Sequence, residues 1–435
     1  MEHIAIIGNG IAGITAARHI RKQSDFRISI ISAEAEHFFS RTALMYVYMG
    51  HMRWRDIEPY EAQFWQKNRL DLVQGYVEKI IPEENTLFFS DGRHMTYDRL
   101  ILATGSRTKF FGWEGMELPQ VTGLVTKQDL ERLGRLAPDN IHCPRAVIVG
   151  GGLIGVELAE MLRTRDIAVT FLVREKGFWN NVLPEGESMM ISRHIEAHGV
   201  ELRHETGLGK ILSDEKGNVR AVQTTEGEEI PCNLVGITTG VTPNIGFLKG
   251  NGIETDRGIL VNRMLETSAP GIYAIGDCAQ QREAWGNRPT VEAVWYTGRM
   301  MGEVVARTIC GIPTAYQPGN WFNSAKFFDI EYQTYGWVFP DIKRRSREAH
   351  FHWRHKNDHQ CVTVAYDEED GTFLGINTFG IRMRHPVLDS WLTGGKSVDF
   401  VMEHLHEAGF DPEFTSANFQ DIRRAYRSEL KSTTT

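Results

Sequence analysis

Three groups of residues in this 435-residue chain can do chemistry by their type and spacing. The first is a rhythm of glycines. Gly8, Gly10 and Gly13 form one Gly-x-Gly-x-x-Gly, and Gly150, Gly152 and Gly155 repeat it. Glycine lets backbone turn tightly and come close to a pyrophosphate. The N–H groups of the helix that follows, opening at Ile11-Ala12 and at Leu153-Ile154, then face the negative charge. The second group is acidic. Glu34 ends the strand after the first glycine helix and can accept hydrogen bonds from ribose hydroxyls, with Glu36 as competitor. The third is basic. At the corresponding place in the second repeat the chain reads Val173-Arg174-Glu175-Lys176. An acid there would repel a 2′-phosphate and a guanidinium would bind it, so the second site leans to NADPH over NADH. The bland alternatives are a ligand-free tight turn, an exposed loop acid and a solvated strand-end arginine.

Elements must hold these residues in place. His3–Ile7 reads as a buried strand, the residues from Ile11 as a helix, and Arg27–Ser32 as a second strand. Ala146–Val149, a helix through Glu157–Arg163 and the strand Ala168–Val173 repeat that order. Between the repeats, Val77–Phe89 reads as a small β excursion closed by Ser90-Asp91-Gly92, and Tyr97–Gly105 as a buried strand. A strand ending in Gly276-Asp277 and a helix over Trp295–Ile309 follow the second repeat. After Gly311 the pattern changes. Phe327–Tyr335, Ala349–Trp353 and Cys361–Tyr366 read as β segments, and Phe373–Asn377 closes a hairpin across the turn Glu368–Gly371. Val398, Val401, Met402 and Leu405 make a helical stripe ending at Gly409, and Phe419, Ile422, Tyr426 and Leu430 make another before a frayed Ser432–Thr435. The expected fold is α/β: two Rossmann-like dinucleotide-binding domains plus a C-terminal α+β domain. The expected boundaries are 1–112 with 245–316 for the first domain, 113–244 for the second and 317–435 for the third.

Composition narrows the partners. Lys plus Arg number 48 and Asp plus Glu 56, a net charge of −8. No global basic field attracts nucleic acid or anionic lipid. No run of apolar residues is long enough to span a membrane. The first residues lack the basic region of a signal peptide. Cys143, Cys232, Cys278, Cys310 and Cys361 are scattered and form no CxxC, so the expectation is a reduced, cytoplasmic protein. His350, His352, His355 and His359 crowd one segment, but no cysteine or acid completes a set of ligands, and no metal is expected. Cys278 reads as a filler of buried space. Lys343-Arg344-Arg345, Arg382, Arg384 and Arg423-Arg424 could present a basic face to an acidic protein, against a reading as solvated charge.

In the order of its motifs the chain resembles the FAD-dependent pyridine-nucleotide oxidoreductases. The matches are Gly8–Gly13, Ala103-Thr104-Gly105, Gly150–Gly155, Gly240-Val241-Thr242-Pro243-Asn244 and Ala274-Ile275-Gly276-Asp277. The resemblance implies FAD in the first site and NAD(P)H in the second. Phe39-Ser40-Arg41 looks like a stretch of the ferredoxin and rubredoxin reductase branch, which implies that Arg41, with Thr42 beside it, contacts FAD. It also implies that Val77 offers backbone to the adenine, that Asp277 holds the ribityl or phosphate region, and that Trp295 lines the cofactor.

Departures point to the subclass. The disulfide reductases of this family carry a CxxxxC where this chain reads Phe38-Phe39-Ser40-Arg41-Thr42-Ala43-Leu44. The single-cysteine branch also needs a cysteine nearby. Thiol chemistry is therefore not expected, and electrons must leave the flavin directly. The ferredoxin reductase branch pairs a lysine with a glutamate beside the flavin. Here Tyr46 stands for the lysine and Glu157 matches the glutamate. Trp321-Phe322-Asn323-Ser324 loosely resembles a flavin-facing segment of that branch.

The implied activity is hydride transfer from NAD(P)H to FAD, then electron transfer to a small protein such as a ferredoxin or rubredoxin. A homodimer is in keeping with the resemblance. Two rivals stand beside this reading: a peripheral NADH:quinone oxidoreductase and a slow redox sensor of the apoptosis-inducing-factor type.

Overall fold

A computed structural model of the protein describes residues 1–410 and 418–433, with side chains through Glu429. Of the expected frayed end Ser432–Thr435, Ser432 and Thr433 are helical, while residues 434–435 and the expected contribution of the Leu430 side chain lie outside what the structure describes. Contacts gather the chain into two compact units. One comprises Met1–Lys109, Gly123–Arg135 and Gly240–Pro318, the other Phe110–Thr122, Leu136–Thr239 and Gly319–Thr435.

In the first unit, β-branched residues with apolar neighbours on both faces make a buried parallel sheet. Its strand order is Ile272–Ala274, Arg99–Leu102, His3–Ile7, Arg27–Ser32, Leu70–Gln74. Ile4 and Ile6 pair with Ile28 and Ile30 in register, and all four are buried. Each such side chain contributes about 1.5–3 kcal/mol. The glycine strand is central. It has the next strand on one side and the Ala-Thr-Gly strand on the other, so its C-terminal end is a topological switch point. Helices Ile11–Gln23 and Trp295–Ile309 cover the sheet. They can approach closely because Gly302 has no side chain: a Cβ there would stand 2.6 Å from the Ala12 carbonyl oxygen. The β excursion expected over Val77–Phe89 is a three-stranded antiparallel sheet of Val77–Ile81, Thr86–Phe89 and His94–Thr96.

The second unit repeats that build. Its parallel sheet runs Val200–Arg203, Ala168–Leu172, Arg145–Val149, Leu234–Ile237, Val121–Thr122, again with the glycine strand central. It has its own antiparallel sheet, Leu208–Ser213, Val219–Thr224 and Glu229–Pro231. The sequence reading did not single that sheet out, because Lys, Glu and Gln on its outer face dilute the alternation.

The C-terminal part of this unit is a five-stranded antiparallel sheet in the order Phe322–Phe327, Ile330–Gly336, Phe373–Phe379, Cys361–Asp367, Glu348–Arg354. Helices His385–Thr393, Val398–His404 and Phe419–Thr433 accompany it. The expected strand Phe327–Tyr335 is two strands joined at Phe328-Asp329, with Phe327 paired to Ile330. The flavin-like segment from Phe322 is thus a sheet edge. Among the described residues no helix is long and apolar enough to cross a membrane.

Candidate functional site: two glycine cradles

Within each glycine repeat the three positions do different work. At Gly8 the backbone has φ +113°, and a Cβ would fall inside the Ala103 carbonyl oxygen. A Cβ at Gly13 would fall inside the Gly8 carbonyl oxygen. These two glycines exist so that strand, turn and helix can touch. Gly10 is different: a Cβ there meets nothing within 4 Å. The second repeat follows the same rule. Gly150 has φ +110°, and its Cβ would stand 2.8 Å from the Thr238 oxygen. Gly155 faces the Phe171 ring and the Gly150 carbonyl, while Gly152 faces open space.

Packing therefore explains the outer glycines and leaves the middle ones free for a ligand that must meet bare backbone. Helices Ile11–Gln23 and Leu153–Arg163 begin at Gly10 and Gly152, with no side-chain cap and no acid in the first turn. Their N–H groups are left for an anion. Both cradles fit a dinucleotide pyrophosphate.

Around the first cradle, Gly8 N–H donates to Ile31 (2.8 Å) and Ala103 N–H to Ile7 (2.8 Å), so the turn is tied to both neighbouring strands. Thr104 Oγ1 donates to the Asn244 carbonyl (2.8 Å), and Gly105 has φ +66°. Gly276 (φ +72°) packs on Ala12, and Asp277 beside it accepts from Ser106 Oγ at 2.8 Å. Burial raises the Asp277 carboxyl above its usual range, with the Ser106 bond and Arg41 opposing. Val77 is buried in the core of this unit. Trp295 opens the helix that carries Gly298 and Gly302. Tyr46 lies half-buried in Leu44–Tyr48, its ring 6.2 Å from that of His51.

Glu34 and Arg41, both expected to face a cofactor, hold each other. Arg41 Nη1 and Nη2 donate to Glu34 Oε1 and Oε2 at 2.8 and 2.7 Å, and Nη1 also donates to the Val125 carbonyl at 2.6 Å. The Lys127 N–H donates to Glu34 Oε1 at 2.8 Å. Three of the carboxylate's roughly four acceptor positions are thus taken. One lone pair, on Oε2, is left for a ribose hydroxyl. Sequence spacing alone could not show this, because residues 125–127 lie far along the chain.

In the second cradle Thr238 Oγ1 donates to the Val149 and Gly150 carbonyls at 3.0 Å each. Val173 is buried and Arg174 exposed. The Arg174 guanidinium is exposed and forms no ion pair among the described residues. Gly240 has φ +104°. Glu157 lies half-buried on the glycine helix, raised to about 7 by burial and by Glu160, with Lys326 opposing. Lys326, from the strand Phe322–Phe327, pairs with Glu160 at 2.7 Å. Sequence reasoning missed Lys326, Ser106 and Thr238; only three-dimensional proximity marks them.

Other expectations resolve plainly. Among the described residues every cysteine is free, and Cys278 is buried with its Sγ near the Ile275 and Leu102 carbonyls. The histidine strip disperses: His350 meets Glu348 (2.7 Å), His352 meets Thr363 (2.8 Å), and His355 meets Asn357 (2.6 Å). Much of the expected basic face pairs with its own acids. Arg423 and Arg427 meet Glu403, Arg424 meets Asp421, Arg382 meets Glu331 and Arg344 meets Asp341.

Comparison with known proteins agrees with this layout. A model of the pyridine nucleotide-disulphide oxidoreductase family matches residues 2–302. A ferredoxin–NAD(P)(+) reductase of a Sphingomonas species is 30% identical over 342 residues, 77% of this chain and 80% of that protein. The assimilatory nitrate reductase electron transfer subunit of Bacillus subtilis is 27% identical over 406 residues, 90% of this chain and 49% of that protein. The fold matches the crystal structure of a ferredoxin reductase from Rhodopseudomonas palustris with a TM-score of 0.79 at 22% identity, over 98% of this chain and 100% of the other.

Proposed function

The chain belongs to the pyridine nucleotide-disulphide oxidoreductase family, and we propose that it takes a hydride from NAD(P)H and passes electrons to a small ferredoxin-type protein. The observation that carries this is the doubled cradle, with its two open middle glycines, Gly10 and Gly152. FAD, when bound, supplies a two-electron acceptor that can release electrons one at a time.

The chain's own residues hold and orient. Gly8–Gly13 and the first turn of the following helix receive the FAD pyrophosphate. Glu34 gives its remaining lone pair to the ribose while Arg41 fixes its rotamer. Asp277, kept in place by Ser106, faces the ribityl or phosphate end; Thr42, Val77, the Ala103-Thr104-Gly105 turn, Gly276 and Trp295 complete that lining. Gly150–Gly155 receives the NAD(P)H pyrophosphate, Gly240 leaves room beside it, and Arg174 selects a 2′-phosphate. Glu157, raised to about 7, can hold a proton near neutral pH, and Tyr46 offers a phenol where the branch has a lysine. No cysteine lies between Phe38 and Tyr48, so no thiol relay intervenes and the acceptor draws on the flavin itself. The working boundaries are 1–112 with 245–316 for FAD, 113–244 for NAD(P)H except that Gly123–Arg135 packs with the first unit, and 317–435 for partner docking, in a cytoplasmic homodimer.

The test is anaerobic stopped-flow reduction of the FAD-loaded protein with NADH and NADPH in separate runs, followed by mixing with a ferredoxin. Fast bleaching by one nucleotide and fast reoxidation by ferredoxin support the reading. Slow bleaching with a long-lived charge-transfer band would replace it with the redox sensor. Reoxidation by a quinone but not by ferredoxin would replace it with the quinone reductase.

A further inference from the structure

A cluster of metal-ligating side chains lies within the second unit, made of residues that neither nucleotide cradle uses. Helix Glu185–Ala197 carries His194, and His198 caps it. Their spacing, i and i+4, puts both rings on one helix face. The turn between strands Phe322–Phe327 and Ile330–Gly336 brings Asp329 up against them. His194 Nε2 lies 2.6 Å from Asp329 Oδ1, and His198 Nε2 lies 3.5 Å from the same oxygen. The three ligand atoms fall within 4.8 Å of one another. Tetrahedral coordination with bonds of ~2.0–2.1 Å separates ligand atoms by about 3.3 Å, which lies between the two histidine–Asp329 distances of 2.6 and 3.5 Å.

Four further observations bear on the site. His198 Nδ1 lies 2.9 Å from the His194 carbonyl. A carbonyl only accepts, so Nδ1 carries a proton, and the neutral form of this ring turns its Nε2 lone pair toward Asp329. The Phe328 ring stacks on His198 at 4.4 Å and 25°, holding the imidazole in that orientation. Phe328 itself has φ +55°, a left-handed conformation rare for a bulky aromatic residue. This local strain at the turn delivers both the stacking ring and the carboxylate. His359 stands next to His194, ring centroids 5.3 Å apart, with Nδ1 turned to the Asn357 carbonyl at 2.6 Å.

We propose that His194, His198 and Asp329 form a site for a divalent transition-metal cation of the zinc class, with water in the fourth position. Two neutral imidazoles and one carboxylate are a borderline donor set that suits such a cation better than Ca²⁺ or Mg²⁺. The cation clips helix Glu185–Ala197 to the strand turn at Phe328-Asp329. It is separate from the reaction, so loss of the reductase reading would leave it standing.

The test is titration of the FAD-loaded, tag-free protein with Co²⁺, followed by its visible d–d absorption. One equivalent should give a tetrahedral spectrum that Zn²⁺ displaces. His198→Ala and Asp329→Asn should each weaken Co²⁺ binding more than about 100-fold, since even outer partners of a ligand cost 10–100-fold. His355→Ala, a change in the neighbouring histidine strip, should leave it intact. Wild type should gain thermal stability with Zn²⁺ and Asp329→Asn should not. Unchanged flavin content and metal-free Tm in the variants would exclude misfolding. Absence of a d–d spectrum, or one unmoved by both ligand variants, would overturn the site. A spectrum lost in His355→Ala would assign the metal to the strip instead.

Discussion

The two cradles share a sheet order, a glycine rhythm and a companion antiparallel sheet, yet they are locked by different matter. In the first, both outer glycines press on backbone carbonyls, Ala103 and Gly8. In the second, Gly155 presses on a phenyl ring as well as on a carbonyl. Backbone cannot move aside without undoing the sheet, whereas a side-chain ring can shift by a change in χ1. The strand ends differ too. The first site closes on a carboxylate already clamped by Arg41 and Lys127, and the second on an exposed arginine with no ion pair among the described residues. A pre-clamped, backbone-locked cradle suits a cofactor that stays. A cradle locked at Gly150 by backbone but at Gly155 partly by a ring, with an open charge, suits a nucleotide that comes and goes.

The sharpest way to break this comparison is to add one methyl group on each side. Gly8→Ala sets a Cβ against backbone at a positive φ and should cost about 3–5 kcal/mol. The product should be scarce and colourless. Gly155→Ala should cost less, because the Phe171 ring can shift; equal losses of Tm would end the distinction.

A second test uses pH. Glu187 is fully buried in the second unit, with Asn377 Nδ2 donating at 2.9 Å, and burial raises its carboxyl to about 7. The folded state thus holds the proton more tightly than the unfolded state does. Stability from this group is whole below pH 4.5 and falls as pH rises toward 7. Glu187→Gln should remove that slope and gain at most about 3 kcal/mol at pH 8. Tm measured from pH 4.5 to 8 reads it; parallel curves for variant and wild type would refute it.

Next come the open glycines. Gly10→Ala and Gly152→Ala should change Tm little, since nothing stands within 4 Å of the added atom. Each should weaken one nucleotide by about 2 kcal/mol through crowding of the pyrophosphate. Gly10→Ala should purify depleted of FAD. Gly152→Ala should stay yellow and need far more NAD(P)H for half-maximal reduction. The opposite pattern would exchange the two assignments.

The smallest effect is at Arg174. Arg174→Ala should raise the KM for NADPH about tenfold, one charge-assisted hydrogen bond's worth, and leave that for NADH nearly unchanged. Equal effects on both would remove the 2′-phosphate role.

What the sequence made legible follows from these same constraints. Gly8, Gly13, Gly150 and Gly155 are dictated by steric contacts, so their spacing is readable without a structure. The isoleucines of the first sheet are equally plain. Glu34 was legible as an acid at the end of the second strand, but not its clamp: Arg41 lies only seven residues on, while Val125 and Lys127 reach the pair from far along the chain, Lys127 from 93 residues away. The flavin-like Trp321–Ser324 was given no element by its sequence, and Phe322–Phe327 is a strand. Its aromatics, half-buried at a sheet edge, carry no alternation that separates a strand from a lining loop. The His194–His198 pair was visible as an i, i+4 spacing, yet Asp329, 131 residues beyond His198, gave no linear signal. The crowded His350–His359 segment drew the eye instead.

Gly302 carries one more consequence, about synthesis. The helix that backs the first cradle is Trp295–Ile309, and the edge strand of that cradle's sheet is Ile272–Ala274. Every strand of the second parallel sheet, by contrast, lies between Val121 and Ile237. A chain emerging from the ribosome therefore finishes the sheet of its second nucleotide fold while the first still lacks an edge and a wall. The first glycine turn is made earliest and enclosed last, waiting for some 300 residues before its supporting helix arrives. Cofactor loading is on this account a late event in the life of the nascent chain.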